Sequence, residues 1–346
     1  MKKLLASAAS VVRTGRGRRS ACVTACVSLA FVLYAAPASA TDPTPATNGR
    51  IAWTQNPPPT AWTITPEGTD PQLLAAFPSP PGLTSLVRGM SFSADGSKLA
   101  VMYEQFFGTG TLCGGVASDC WSIFLMNGDG SDARVVYSSE DIGGGGLALS
   151  PDGSRIAFTK IVDRFVPGRT KEPLFTIDAN GQHLRKLTRP GNIQTDADPT
   201  WSPDGKSIAF ESSRDEDAYH SWSLYIVNVR NRQVRKVLPP AARDTNDLEP
   251  DWSPDGTKLA FIRTFPYPDY RIYSVDVDGS NQHEILRDNS APQGPVWSPN
   301  GHEILYTKDA GSHALALVDA SGRDDRVLRT FSFLTSVGGY DWRPNY

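Results

Sequence analysis

The sequence lacks an excess of charge of either sign. Its 34 lysines and arginines stand against 37 aspartates and glutamates, so the formal net charge is −3. Such a chain has no overall basic field to attract nucleic acid or an anionic membrane. We therefore expect neither of these to be its partner.

Long apolar runs are also absent, apart from one near the start of the chain. This run of sixteen residues, 21–36, follows a basic stretch at Arg13–Arg19 and precedes the small residues Pro37–Ala40. The order is typical of a secretory signal peptide cleaved after Ala40. A retained membrane anchor is the alternative, although a transmembrane helix needs about 20 apolar residues.

The predicted organisation is a signal peptide over residues 1–40, a linker over 41–47 and one domain over 48–346. Cleavage would leave the protein periplasmic or secreted, without stable membrane insertion. The compartment bears on the cysteines, because disulfides form and persist in oxidising surroundings.

Cysteine is scarce in the predicted mature chain. Only Cys113 and Cys120 remain, with a glycine-containing loop between them. In an oxidising compartment this spacing favours a disulfide that staples the loop. Two free thiols are the alternative. A metal site is disfavoured, because no histidine or third cysteine lies nearby in the sequence.

Glycine and proline, by contrast, are abundant, and they punctuate a repeated phrase. The 30 glycines and 27 prolines indicate many tight turns between short strands. Residues 201–205 and 252–256 both read Trp-Ser-Pro-Asp-Gly, and close variants begin at Phe92, Leu149 and Trp297. The five copies start 45 to 57 residues apart, and a short apolar strand follows each of them. This regularity indicates a structural repeat.

Each repeat predicts four antiparallel strands. The phrase joins the first two strands, a third follows a loop of variable length, and a fourth follows a tight turn such as Asn180-Gly181. Asp-Gly and Asn-Gly suit such turns, because asparagine and glycine adopt positive φ at low cost. Four short antiparallel strands in about fifty residues are typical of a β-propeller blade. The predicted fold class is all-β.

The two ends of the chain supply a further blade in two pieces. Residues 341–345 copy the opening strand and its turn, and residues 48–53 copy the turn and the second strand. Residues 61–65 and 72–76 would complete this blade. Pairing the C-terminal strand with the N-terminal blade would close the ring and cover the exposed sheet edges. The sequence therefore predicts a six-bladed β-propeller of four-stranded antiparallel blades over residues 48–346.

The repeat resembles that of the TolB-like β-propellers, which carry the same Trp-Ser-Pro-Asp-Gly turn before an Ile-Ala-Phe strand. This resemblance implies the propeller fold over residues 48–346, but one fold hosts many functions. TolB carries an α/β domain ahead of its propeller, whereas only a short linker is predicted here. Peptidases with such propellers add a hydrolase domain with a Gly-x-Ser-x-Gly motif, which this sequence lacks.

A tryptophan recurs at one position of the repeat, as Trp201, Trp252, Trp297 and Trp342. An aromatic residue that returns once per blade is predicted to pack between neighbouring sheets. A sugar-stacking surface is the alternative.

The histidines are split between the two ends of the predicted blades. His183, His283 and His302 fall at the end with the tight turns, whereas His220 and His313 fall at the opposite end. They are therefore not expected to converge on one metal ion or one acid–base pair. The sequence predicts no catalytic residue, no metal site and no cofactor.

Strand direction places the long loops together on one face of the ring. The connections between blades lie there, including residues 189–198 and 239–249. Long loops on a rigid scaffold commonly carry binding residues. We expect a partly acidic mouth of the central channel that accepts a basic peptide segment or a cation, with solvated loop charge as the alternative. The candidate residues are Asp196, Asp198, Arg214, Asp215, Asp247 and Glu249.

The sequence thus favours an exported, non-enzymatic binding or scaffold protein. Its partner would be a protein, a peptide or a glycan held at the long-loop face, and a closed ring can act as a monomer. The alternative is an extracellular polysaccharide-active enzyme, a lyase or a hydrolase, with its site in the channel.

Overall fold

The computed structural model describes residues 49–79, 84–106, 120–163, 170–214, 222–239, 245–266, 269–309, 313–332 and 337–342. The predicted signal peptide and linker, Cys113, Asp215 and His220 lie outside the described residues. Signal cleavage, the Cys113–Cys120 disulfide and a role for Asp215 therefore stay predictions. Within the described parts of the chain, no helix has the length and apolar character needed to cross a membrane.

Short strands follow one another along the described chain. The first seven are β1 (Ile51–Gln55), β2 (Thr60–Ile64), β3 (Gln72–Ala76), β4 (Thr84–Phe92), β5 (Lys98–Phe106), β6 (Cys120–Asn127) and β7 (Arg134–Ser139). The next eight are β8 (Ile142–Leu149), β9 (Arg155–Lys160), β10 (Leu174–Asp178), β11 (Arg185–Lys186), β12 (Asp196–Trp201), β13 (Ser207–Ser212), β14 (Ser223–Asn228) and β15 (Val234–Lys236). The last nine are β16 (Asn246–Trp252), β17 (Lys258–Thr264), β18 (Tyr270–Asp276), β19 (His283–Arg287), β20 (Gln293–Trp297), β21 (Glu303–Asp309), β22 (His313–Asp319), β23 (Arg326–Thr330) and β24 (Tyr340–Trp342).

These strands form six four-stranded antiparallel sheets, which are the blades of a propeller. Blade one has the order β24-β1-β2-β3, and blades two to six contain β4–β7, β8–β11, β12–β15, β16–β19 and β20–β23. None of the described residues is helical. The prediction of an all-β, six-bladed propeller is confirmed.

The ring is closed by the C-terminal strand, as the two sequence fragments predict. Strand β24 pairs antiparallel with β1, with Trp342 opposite Ile51 and Tyr340 opposite Trp53. The Trp342 indole N–H also donates to the Gly49 carbonyl at 3.0 Å. Residues from the two ends of the chain therefore complete one sheet.

The recurring tryptophans pack between neighbouring blades, which confirms their predicted structural place. Trp201 is 6% exposed and lies in a hydrophobic cluster with Ala148 and Leu174 of the preceding blade. Its indole N–H donates to the Ala148 carbonyl at 3.2 Å, and Trp252 bonds the Thr200 carbonyl in the same way at 3.1 Å. These two indoles thus supply apolar contact and a hydrogen bond across a blade boundary.

The innermost strands begin earlier than the sequence predicts. Residues 196–198 and 246–249 were expected in blade connections, but they belong to β12 and β16. The pairing register shifts between Ala197 and Thr200 in blade four, at Pro199, and between Leu248 and Asp251 in blade five. Proline cannot donate to a ladder, but a β-bulge tolerates it, so the strands continue through it.

Candidate functional site

The innermost strands of the six blades line a cavity on the propeller axis with a volume of about 320 Å³. The lining residues lie at and just after the shifts in pairing register of these strands, for example Gly146–Ala148 in β8 and Asp198–Thr200 in β12. The charged and phenolic residues of this channel cavity are Arg88, Asp198, Glu249, Asp251, Tyr340 and Asp341. The cavity is thus a predominantly acidic space to which every blade contributes.

Two of the acids sit at the bulges in a backbone conformation that side chains disfavour. Asp198 has φ of 45° and Glu249 has φ of 52°, whereas Gly146 and Gly294 occupy the corresponding bulges of blades three and six at 76° and 57°. A residue with a Cβ atom is disfavoured in this left-handed region. Such strain is found more often at functional sites than elsewhere.

Glu211 on β13 lies behind these two acids and connects blade four to blade five. Its Oε2 atom accepts a hydrogen bond from the Glu249 backbone N–H at 2.7 Å. The Glu249 Oε2 atom in turn accepts the Gly294 N–H of blade six at 2.6 Å. Hydrogen bonds therefore run from carboxyl to backbone across three consecutive blades.

Burial and mutual repulsion raise the pKa values of this group. Burial raises the pKa of Asp198 to about 6. Burial, as the larger cause, and repulsion from Asp198, as the smaller one, raise the pKa of Glu249 to about 7. The pKa of Glu211 is raised by burial first and by both neighbouring acids next. The three carboxyls therefore exchange protons with solvent closer to neutral pH than ordinary acids do.

A second pair of acids joins blades at the position just before the recurring aromatic residue. The Asp251 carboxylate accepts the Trp297 N–H at 2.9 Å, and the Asp341 carboxylate accepts the Phe92 N–H at 2.6 Å. Burial raises the pKa of Asp251 to about 7 and that of Asp341 to about 6. These residues hold neighbouring innermost strands together and add to the acidity of the channel.

Little positive charge offsets these acids. Arg88 is the single cation among the residues that line the cavity, and its Nε atom donates to Glu104 at 2.6 Å. Among the described residues, the Asp198 carboxyl has no hydrogen-bond partner. The negative charge of the channel acids is therefore not neutralised within the channel, and a bound proton or cation would be stabilised there.

The predicted site residues divide into two groups. Asp198 and Glu249 face the channel together, as described above. Asp196 is instead fully buried within blade four, where it accepts hydrogen bonds from Arg214 at 2.6 Å and from the Ser212 hydroxyl at 2.6 Å. Asp247 is paired with Arg263 of its own blade at 2.6 Å and 2.9 Å. Whether any of them binds a partner stays a prediction.

The buried pairs give a testable expectation about Arg214. The variant Arg214→Leu leaves the Asp196 charge buried without a cation, and it should lower the free energy of unfolding by about 3–5 kcal/mol. The matched variant Arg326→Leu breaks the pair with Glu303, whose side chains are 44% and 19% exposed, and a pair so near the surface is worth about 0–1 kcal/mol. Urea denaturation of both variants measures the difference. Equal losses would show that the Asp196 pair is no more important to stability than a surface pair.

Sequence reasoning missed Asp251 and Asp341 as channel residues, and it missed Glu211 as the carboxyl that bonds the Glu249 backbone behind them. Asp251 and Asp341 directly precede Trp252 and Trp342, so aligning the repeats on the tryptophan could have found them. Glu211 follows an Ile-Ala-Phe strand, and nothing in the sequence shows that its side chain reaches the next blade.

The channel acids do not form a cage for a metal ion. Across the residues that the structure describes, no group of three or more histidine, cysteine, aspartate or glutamate side chains is placed to hold one. The residues that line the cavity include no histidine. The channel cavity therefore offers a ligand negative charge and buried carboxyl groups.

Comparison with known proteins gives relatives of the same repeat type. An uncharacterized protein from Agrobacterium fabrum is 28% identical over 198 residues, covering 54% of this chain and 61% of that protein. A TolB homolog from Chlorobium luteolum is 28% identical over 177 residues, covering 50% of this chain and 35% of the homolog. The chain therefore matches less than two thirds of either relative's length.

A solved structure shows the same fold. The crystal structure of TolB from Acinetobacter baumannii has a TM-score of 0.66 and 20% sequence identity, covering 86% of this chain and 67% of that one. The TolB beta propeller domain family matches residues 116–338, which is more than half of the sequence. The chain belongs to the TolB beta propeller domain family.

Proposed function

We propose that the protein is an exported, non-enzymatic binding protein whose channel cavity accepts a basic segment of a protein or peptide partner. The observation that carries this proposal is the concentration of Asp198, Glu249, Asp251 and Asp341 around a cavity with one paired arginine. The predicted signal peptide and the kinship with TolB propellers support a place in the periplasm or outside the cell.

The chemistry of the channel suits a lysine or arginine side chain of a partner. Carboxyls with raised pKa values are partly protonated near neutral pH, and an inserted cation would displace those protons. A cavity of about 320 Å³ lies at the small end of ligand pockets, which fits a side chain or a chain end better than a sugar polymer. Binding should therefore release protons and should strengthen as the pH rises from 5.5 to 8.

The test is calorimetric titration with hexalysine as the probe. We expect the double variant Asp198→Asn/Glu249→Gln to bind hexalysine about tenfold more weakly at pH 8, because two of the four acids that line the cavity lose their charge. The control variant Glu67→Gln/Asp324→Asn removes two carboxylates from exposed turns and should bind as the parent does. Equal affinities in the two variants would exclude the channel acids as the binding site.

Metal analysis separates this proposal from an enzymatic one. A lyase or hydrolase that uses a transition metal would retain that metal in stoichiometric amount after purification. We expect the purified protein to contain less than one tenth of an equivalent of any transition metal. A stoichiometric metal would contradict a purely binding role.

A further inference from the structure

A second cavity shares no lining residue with the channel cavity and differs from it in charge. It is a groove of about 700 Å³ between blades three and four, at the end of the blades that carries the tight turns. Its charged lining consists of Arg155, Asp178, His183, Arg185, Lys186, Lys206, Arg230 and Arg232. Six of these are lysines or arginines and one is an acid, although the whole chain is slightly acidic.

Most of these cations form no ion pair in the described chain. Asp178 bonds His183 at 2.6 Å, and Lys206 pairs with Asp204 at 3.1 Å. The remaining five lysines and arginines form no ion pair with any residue that the structure describes. Other cations of this protein, such as Arg263 and Lys308, are bound to aspartates. The groove thus has a local excess of positive charge, and one of its cations, Arg155, also lies over the Trp201 ring at 4.8 Å.

The neighbouring groove shows that the fold itself does not require this charge. Between blades four and five, the equivalent cavity has Asp204, Arg235 and Asp255 as its charged lining. When the repeats are aligned, Lys206 corresponds to Thr257 and Arg230 corresponds to Asp278. The corresponding turns of blade five therefore form with residues that carry no positive charge.

We propose that this groove binds an extended acidic segment of a protein partner. Its cations lie on several separate segments of two blades, so they fit a row of carboxylates better than a single small anion. Both residues of β11 line the groove, and β11 is the outer edge of its sheet. A peptide can add a strand to such an edge through its backbone as well as pair with the arginines, whereas a polysaccharide cannot form a strand.

The direct test is fluorescence anisotropy with labelled hexaglutamate at low ionic strength. The variant Lys206→Thr/Arg230→Asn introduces residues that stand at the corresponding turns of other blades, Thr257 and Asn180. It should bind hexaglutamate about tenfold more weakly. The variant Arg323→Asp changes the net charge by the same amount in the tight turn of blade six, and it should bind as the parent does.

Three further results decide the proposal. Equal weakening by the groove variant and by Arg323→Asp would show that only net charge matters, and it would overturn the site. A groove-dependent affinity for an oligouronate with no affinity for hexaglutamate would overturn the choice of a peptide. Unchanged hexaglutamate binding in Asp198→Asn/Glu249→Gln would show that the groove acts separately from the channel.

Discussion

Deleting residues 340–346 should destabilise the whole propeller, because this removes β24 from blade one. The Trp342 side chain is 3% exposed, and loss of a buried tryptophan alone costs about 3–5 kcal/mol. The deletion also removes the ladder to β1 and the Asp341 bond to the Phe92 N–H. Since a folded domain is stable by about 5–15 kcal/mol in total, we expect the unfolding midpoint to fall by about 10–20 °C.

The matched control for this deletion removes residues 343–346 and keeps β24. It should unfold at nearly the same temperature as the parent, and both should be followed by circular dichroism and by tryptophan fluorescence. Coincident transitions in the two signals would show that the ring unfolds as one unit. If the longer deletion unfolded as the control does, closure through β24 would contribute nothing to stability.

Stability should decrease as the pH rises from 5.5 to 8, which is unusual for a protein rich in ion pairs. The ordinary pKa of a carboxyl is about 4, whereas Glu249 and Asp251 have pKa values of about 7 and Asp198 and Asp341 about 6. Between pH 5.5 and 8 the folded protein therefore binds more protons than the unfolded chain does. That contribution to stability is complete below pH 4 and is lost as the pH rises through 6 to 7.

The size of the effect can be measured by urea denaturation at the two pH values. One pKa unit corresponds to about 1.4 kcal/mol, and we expect the free energy of unfolding to be at least about 2 kcal/mol greater at pH 5.5 than at pH 8. The aspartates whose pKa values are lowered, such as Asp204 and Asp255, titrate below this range and do not oppose it.

Glu249→Gln isolates one of these carboxyls. The amide can still accept the Gly294 N–H, but it carries no buried charge at high pH. We expect this variant to be more stable than the parent at pH 8 by about 2 kcal/mol and to have a shallower pH dependence. Glu67→Gln in an exposed turn should leave both quantities unchanged. A parent protein that gains stability toward pH 8 would show that the channel carboxyls ionise without cost.

The blades and the closure of the ring could be read directly from the residues. Turn phrases such as Trp201–Gly205 act locally, since the glycine adopts the positive φ that this tight turn between two strands needs. Because the phrase recurs, it indicated several blades of the same kind. The two incomplete copies at the chain ends predicted the pairing of β24 with β1. Local chemistry repeated six times is enough to specify this architecture.

The chemistry of the surfaces depended instead on which side of a bulged strand each residue faces. Asp196 and Asp198 are two residues apart, yet one is paired with Arg214 inside its blade and the other faces the channel. Simple alternation would have placed them on one face, but the shift in register after Ala197 breaks that alternation. The grouping of channel acids and the field of groove cations both join residues from different blades. Contacts between distant parts of the chain decide such groupings, and no local pattern in the sequence records them.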